Sequence, residues 1–468
     1  MVSEKYSFIV IGGGASGLTA SRFASQLGKK VLLIEKDRIG GDCTWTGCVP
    51  SKTLIRTANL AHEMRTADHF GLPPGNLDLD FKKVMKHVEE VIQEVYEEET
   101  PERLKEQGID VAFGVPSFNG PNIISIEEEE IVGEKILICT GARPLIPPIE
   151  GLADVEYWTN ETIFSLQELP KRLVVIGGGP IGCELSQAFN RLGSKVTLLT
   201  NVPRLLPRDE PEAAEVLQKV FEEEGIELHF NSEINKVSQD KRGFHVQNGN
   251  DEIIGDELLI AAGRRPNIEG LNLEKAGVEF AKNGIIVDNK LRTSQKHIYA
   301  SGDCVSGNLQ FTHYAGWQGW IATRNALMPG SAEGRTDIVP WTTFTSPEIA
   351  HVGDLEHEAL DKDTKSRSAI CPISMVDRAK TDRNLDGFLK VILKSDGTII
   401  GATIVSARAG ESIQEWIMAI RQGLGIEDIA STLHVYPTYI SGSMDMAANI
   451  SMESFLSSAK GKIVRFFT

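Results

Sequence analysis

The sequence is short of several things, and each shortage removes a class of function. Lys and Arg number 48 against 65 Asp and Glu, and the resulting charge of -17 excludes a nucleic-acid partner, which needs a basic surface. No apolar run is long enough to cross a bilayer, so no membrane partner is expected. The start, Met1-Val-Ser-Glu-Lys-Tyr6, has neither a basic n-region nor a signal-peptide core, which makes a cytoplasmic location the expectation. Six cysteines in 468 residues make no disulfide framework, so a pair at special spacing reads as catalytic or metal-binding. What remains is an ordinary globular composition, 41% hydrophobic with 44 glycines, on a chain long enough for several domains.

Two segments repeat one design. The apolar strand Phe8 to Ile11 runs into Gly12-Gly-Gly-Ala-Ser-Gly17, then a helical stretch to Leu27, a terminating Gly28, and a strand Val31 to Ile34 that ends at Glu35. The second copy has strand Leu173 to Ile176, turn Gly177-Gly-Gly-Pro-Ile-Gly182, a helix to Leu192, Gly193, and strand Val196 to Leu199. It ends at Thr200, where the first copy has an acid. Both are βαβ openings of dinucleotide-binding domains. In such a turn Gly12 makes the bend, Gly14 admits a pyrophosphate, and Gly17 lets helix and strand pack; Glu35 is placed to accept from a ribose. The helix N-terminus offers free amides to the phosphates. A glycine-rich turn in an unrelated α/β sheet is the plain alternative, and the second copy counts against it.

Each copy later reaches a short strand and Gly-x-Arg-Pro, at Gly141-Ala-Arg-Pro144 and Gly263-Arg-Arg-Pro266. This predicts an α/β fold with two Rossmann-like domains, the second inserted in the first, plus a C-terminal α+β domain. The boundaries expected are 1–150 with 271–335, then 151–270, then 336–468. The chain returns to the first domain through Ile298-Tyr-Ala-Ser-Gly-Asp303, and a linker is expected near Met328 to Gly334. The acidic runs Glu97 to Glu99, Glu127 to Glu130 and Glu222 to Glu224 read as solvated faces or a hairpin, without function.

The sharpest motif is Gly40-Gly-Asp-Cys-Thr-Trp-Thr-Gly-Cys-Val-Pro-Ser-Lys52. Cys43 and Cys48 are spaced to close a disulfide within one distorted helical turn, and Pro50 suits the first turn of the next helix. A thiolate near that N-terminus, with a lysine close by, would be reactive. Two inert buried thiols, or half of a zinc site, remain open as readings, though no second Cys or His pair at ligand spacing accompanies them. No metal ligands are assigned.

This stretch resembles the redox-active motif of the class I pyridine nucleotide-disulfide oxidoreductases, which include glutathione reductase, dihydrolipoamide dehydrogenase and mercuric reductase. The resemblance extends over essentially the whole chain. It implies FAD in the first domain, NAD(P)H in the inserted one, and a homodimer built by the last. It further implies that Cys48 is the thiolate beside the flavin, Cys43 the interchange thiol, and Lys52 a neighbour of flavin N5 paired with Glu184. Asp303 matches the FAD-binding aspartate, and Phe311-Thr-His-Tyr-Ala315, with Thr312 and Ala315, a helix start facing the flavin. His313 there is positional. Gly41, Thr140, Gly141, Gly177, Gly179, Gly182, Thr200, Asn201, Arg204 and Gly263 complete the implied cofactor contacts.

The match has departures. Where the family's disulfide reductases carry a His and a downstream Glu, Leu433-His-Val-Tyr-Pro-Thr-Tyr-Ile-Ser441 has Tyr436 and Ser441, with His434 two residues upstream as an alternative base. Tyrosine, with an ordinary pKa of about 10, is a poor base at neutral pH but can donate a proton. Tyr436, and Val339 to Glu348, resemble mercuric reductases, yet Lys460 to Thr468 has no vicinal cysteines and no metal-binding N-terminal domain is expected, so mercuric reduction is not the expected task. Thr200 lacks the charge that would repel a 2'-phosphate, and Arg204 is close, which tilts the expectation to NADPH. Pro180 replaces a gating tyrosine. The expected activity passes electrons from NAD(P)H through FAD and the Cys43–Cys48 disulfide to a small-molecule or protein disulfide. The alternatives are a reductase of metal ions or quinones, and a non-catalytic flavoprotein, against which the intact Cys43, Cys48, Lys52 and Glu184 argue.

Overall fold

The run Phe8-Ile-Val-Ile11 is buried on every side chain, as a central parallel strand covered on both faces requires. In the computed structural model, which describes residues 5–75, 78–458 and 462–463, this strand lies mid-sheet. Strand Lys5–Ile11 pairs in parallel with Val31–Glu35 on one side and Glu129–Ile138 on the other; Ile109–Phe113 extends the first side, and Ile298–Ala300 pairs with Ile136 to Ile138. The alternation splits the core: Ile9, Ile11, Ile34 and Ile136 face one side, Phe8, Val10, Leu33 and Leu137 the other. The chain divides into two compact units, residues 1–57, 79–169 and 257–336, and residues 58–78, 170–256 and 337–468.

In the second unit, strands Arg172–Ile176, Lys195–Leu199 and Glu227–His229 are parallel. Helix Pro180–Leu192 begins with proline at its first position, where the missing N–H costs nothing, and stops at Gly193 with φ 120°. An antiparallel sheet of Ile234–Asp240, Gly243–Asn248 and Asp251–Gly255 follows. Beyond residue 337 a five-stranded antiparallel sheet packs against helices Gln414–Gln422 and Ser441–Ser457, with Trp416, Met446 and Ile450 in the core. Among the described residues no helix is long and apolar enough to cross a membrane. Of the Lys460–Thr468 ending, all but residues 462 and 463 lie outside the described residues.

The acidic runs are largely the solvated faces or hairpin expected, Glu97, Glu98, Glu222 and Glu223 being exposed, but one residue in each of two runs departs. Glu127 turns a hairpin between Ile123–Ile126 and Glu129–Ile138, as anticipated. Glu99, however, accepts from Thr44 Oγ1 at 2.8 Å, and Glu224 forms a buried ion pair with Arg191. Each carboxylate meets a donor from another element, which sequence adjacency to other acids conceals.

Lys390 points from the buried strand Phe388–Leu393 into three carboxylates, Glu210 at 3.0 Å, Glu212 at 2.9 Å and Glu356 at 2.6 Å. Lys390 and Glu210 are both almost wholly buried, so removing the ammonium strands an uncompensated charge. Lys390→Met is expected to destabilise this unit by about 3 kcal/mol, read as a lower denaturant midpoint. A midpoint equal to wild type would show that the cluster contributes nothing net.

Candidate redox and dinucleotide-binding site

The first βα turn is built by absence of side chains. A Cβ at Gly17 would lie 1.9 Å from Gly12 O, and one at Gly12, whose φ is +112°, 2.4 Å from Cys139 O. Only glycine permits this approach of helix Ala15–Gln26 to the strand ends. Glu35 closes the strand beside it, its Oε2 accepting from Gly13 N at 2.6 Å and its Oε1 from Asp37 N at 2.9 Å. The helix starts at Gly14 with no side chain bonding its first amides. Those amides and the macrodipole are what a pyrophosphate binds.

The cysteine motif is tied directly to that turn. Gly40 N donates to Gly13 O at 2.9 Å, and a Cβ on Gly41 would be 2.7 Å from Gly14 Cα. The motif then forms two helices, Gly41–Trp45 and Cys48–Arg65, interrupted at Thr46 and Gly47, so the cysteines flank a helix break rather than share one turn. Neither is in a disulfide, and their side chains are hydrogen-bonded to each other. The Cys48 Sγ also lies 3.4 Å from Thr312 Oγ1, at the start of helix Thr312–Leu327. Two helix N-termini therefore meet at Cys48, a setting that favours a thiolate. The hydrogen bond to Cys48, then burial and the negative charge on Cys48, hold the proton on Cys43 well above the ordinary thiol range. By contrast Cys139, Cys183 and Cys304 are buried, and burial pushes each pKa up, in Cys304 to about 11. These are inert thiols.

Other predicted residues converge on the carboxyl ends of the same strands. Thr140 Oγ1 donates to Asn267 O at 2.5 Å, and the strands Ala142–Pro144 and Arg264–Pro266 pair antiparallel, joining the two Gly-x-Arg-Pro copies that begin at Gly141 and Gly263. Asp303 sits in a single turn after strand Ile298–Ala300, and burial raises its pKa to about 6 against the pull of Arg264. Ala315 packs against Gly302, where a Cβ would come within 3.1 Å. Lys52 is half-buried on helix Cys48–Arg65, one turn after Cys48. His313 is the second residue of its helix.

One residue was missed by the sequence reading. Arg264 is part-buried, paired with Asp42, 3.6 Å from Asp303, and bonded to Ala142 O; its Nε is buried with no partner among the described residues. Burial works against its charge, but Asp42 and Asp303 outweigh this and hold it protonated. The signal lay in the repeat itself, since the first copy has Ala142 where the second has Arg264. The glycine cradle, the Glu35 carboxyl and this orphaned donor fit a bound dinucleotide carrying a polar chain toward Asp303.

In the second unit Gly177 N donates to Leu199 O at 2.8 Å, as Gly12 N does to Ile34 O. Thr200 stands under Gly178 as Glu35 stands under Gly13. Gly179 caps helix Pro180–Leu192 with open space where a Cβ would be, and Gly182 is buried in its first turn. Asn201 is exposed, and Arg204 donates to the carbonyls of Leu206, Pro207 and Asp209 in its own loop. Glu184 is buried and accepts from Phe344 N at 2.9 Å.

The two candidate bases differ in availability. His434 has both ring nitrogens taken, Nε2 by Glu415 at 2.6 Å and Nδ1 by Thr432 O at 2.8 Å. Tyr436 is exposed and donates to Asp377 at 2.8 Å, a bond that raises the phenol pKa. Ser441 donates to Thr438 O and opens the last long helix.

Two glycine-cradled βαβ units and a thiol pair define an oxidoreductase that uses two dinucleotides. The profile described as pyridine nucleotide-disulphide oxidoreductase matches residues 6–319, and its dimerisation domain matches residues 339–447. The chain is 35% identical to mercuric reductase of Lysinibacillus sphaericus, covering 94% of this chain and 81% of that one. It is 35% identical to dihydrolipoyl dehydrogenase of Thermus scotoductus, covering 95% and 97%. Among solved structures, LpdA from Mycobacterium tuberculosis aligns with TM-score 0.87 at 30% identity over 95% of this chain and 99% of that one. The HOCl-induced flavoprotein disulfide reductase RclA from Escherichia coli aligns with TM-score 0.85 at 27% identity, also over 95% and 99%. The chain belongs to the pyridine nucleotide-disulfide oxidoreductases, FAD-dependent enzymes that use a pyridine nucleotide.

Asp303 gives a pH test. Its folded pKa of about 6 lies above its ordinary value of 3.8, so the folded state binds the proton more tightly and loses stability as pH rises between them. Flavin-free Asp303→Asn should therefore gain stability over wild type across that window, hold the gain above it, and show none below pH 3.8. A gain independent of pH, in thermal melts of both proteins, would contradict the burial of an ionisable group there.

Proposed function

We propose that Cys43 and Cys48 are the redox-active pair of this enzyme, with residues 1–150 and 271–335 holding FAD, 151–270 the nicotinamide dinucleotide, and 336–468 forming a homodimer. The observation that carries this reading is the Cys43–Cys48 hydrogen bond at the meeting of two helix N-termini. Gly12, Gly14, Gly17, Glu35, Gly41, Thr140, Gly141 and Asp303 would hold FAD, which when bound supplies two-electron exchange between nicotinamide and disulfide. Lys52 and Glu184 would form an ion pair on the nicotinamide side. NADPH is the proposed donor: Thr200 brings no charge against a 2'-phosphate, and Arg204 lies in the following loop. A cytoplasmic setting belongs to this proposal, because a pair that must cycle needs a reducing compartment.

Reduction breaks the Cys43–Cys48 bond with two electrons and one proton, leaving Cys43 as thiol and Cys48 as thiolate. That division is the one the family resemblance implies, and the Thr312 hydroxyl 3.4 Å from Cys48 Sγ at a helix start supports it. Cys43, once deprotonated, attacks a substrate disulfide and expels one thiolate; Cys48 then attacks the Cys43 sulfur, closes the pair and expels the other. Each leaving thiolate needs a proton. Tyr436 of the partner subunit is the proposed donor, because His434 has no free nitrogen and the bond to Asp377 keeps the phenol protonated.

The same geometry favours a second reading for the acceptor. A site without a free imidazole suits acceptors that need no proton moved at the thiol, such as quinones or metal ions.

Anaerobic titration with NADPH should bleach the flavin and raise a long-wavelength thiolate-to-flavin band, with NADH less effective at equal concentration. Cys48→Ser should lose the band, and Cys43→Ser should show it before any reductant is added. Spectra unchanged in both variants would make the cysteines structural.

Tyr436→Phe should leave flavin reduction at the wild-type rate and slow disulfide turnover by roughly a hundredfold, the low end for general acid help. Equal turnover of a disulfide by both proteins, in a steady-state assay, would remove Tyr436 from the chemistry and favour the second reading.

A further inference from the structure

Glu184 does not stand alone on its helix. Glu184, Gln187 and Arg191 lie at i, i+3 and i+7 of Pro180–Leu192, along one face. All three are buried. The Gln187 amide clamps one residue of a neighbouring segment through both its backbone groups: Ser346 N donates to its Oε1 at 2.7 Å, and its Nε2 donates to Ser346 O at 2.8 Å. Two residues earlier, Phe344 N makes the 2.9 Å bond to Glu184 Oε1. One loop is thus held by the helix at two points, and one of those points fixes the Glu184 carboxylate.

The clamp has a fixed direction. An amide can turn over by half a rotation at little cost, exchanging oxygen for nitrogen. Here Gln187 Nε2 also donates to Glu224 Oε1 at 3.1 Å, an acceptor that only the NH2 end satisfies. Glu224 is in turn held by Arg191, whose Nε bonds Oε2 at 3.0 Å and whose Nη1 reaches Asn59 Oδ1 at 2.7 Å. Asn59 belongs to helix Cys48–Arg65, the helix that begins at Cys48. The buried Arg191–Glu224 pair therefore sets the amide orientation, and the amide sets the loop that holds Glu184.

We propose that Gln187, oriented by Arg191 and Glu224, is a positioning residue for Glu184 and so for hydride transfer from the nicotinamide. This rests on the reading that places Glu184 at the nicotinamide. A loop free to shift by an ångström loosens the Phe344 bond to the carboxylate, and misplacement on that scale commonly costs about a hundredfold.

The test is a double-mutant cycle on the holoenzyme, read by stopped-flow flavin reduction with NADPH. Gln187→Met, similar in shape but without the polar atoms, should slow reduction by roughly tenfold to a hundredfold. Reoxidation of dithionite-reduced enzyme should be unchanged. In a Glu184→Gln background the same substitution should have little further effect, because its path runs through the carboxylate. Gln187→Glu supplies the second measurement: protonated, it can both accept from Ser346 N and donate to Ser346 O, so its reduction rate should fall as pH rises while wild type does not follow. Losses that add across the cycle, or a Gln187→Met rate within twofold of wild type, would overturn the proposal. Failure of Gln187→Met to retain FAD passes the decision to the Gln187→Glu pH profile, where a profile parallel to wild type overturns it. Wild-type flavin that neither nicotinamide reduces would overturn the reading of the site itself.

Discussion

Everything at the redox site depends on how closely two stretches of bare backbone approach each other. Gly13 and Gly14 of the first turn meet Gly40 and Gly41 of the cysteine motif through one backbone hydrogen bond and a contact with no room for a methyl group. A dinucleotide cradle and a thiol pair are thereby joined without an intervening side chain. The parallel sheet enforces the meeting, because its strands deliver the Gly12 turn, Thr140 and Ser301 to the same edge. Ser16 and Ser301 touch there through their hydroxyls at 2.6 Å, fixing the first helix against the segment that carries Asp303.

Electrostatics then assigns roles that composition alone would not. In a chain of net charge -17, three buried or part-buried cations stand where acids converge: Arg264 between Asp42 and Asp303, Arg191 on Glu224, Lys390 among three glutamates. Burial still holds Asp303 in part toward its neutral form, against the pull of Arg264.

The fold was legible because its signals are local. Glycines at fixed spacing, an acid closing the second strand and proline opening the second copy's helix all act within a few residues, and each stands where the sequence placed it. What escaped was made by contacts distant in sequence. Arg264 meets Asp42 across more than 200 positions, and Glu224 meets Arg191 across 33, so both acids looked like surface charges or bystanders. The distortion expected between Cys43 and Cys48 is a full helix break at Thr46 and Gly47, whose place spacing cannot show. His434 remained open for a related reason: its availability depends on Glu415, nineteen residues away on another element.

The proton held on Cys43 also bears on chemical durability. Peroxides and hypohalous acids attack sulfur chiefly as thiolate, and over-oxidation past sulfenic acid is irreversible for most cysteines. On the proposed assignment the charged sulfur of the reduced pair is Cys48, lodged between two helix starts, while Cys43 presents a protonated sulfur in hydrogen-bond contact with it. Should Cys43 be oxidised to a sulfenic acid, a Cys48 thiolate would be placed to condense with it, expelling hydroxide and restoring the disulfide. The pair is built so that its first oxidative lesion leads back to a state the catalytic cycle already contains.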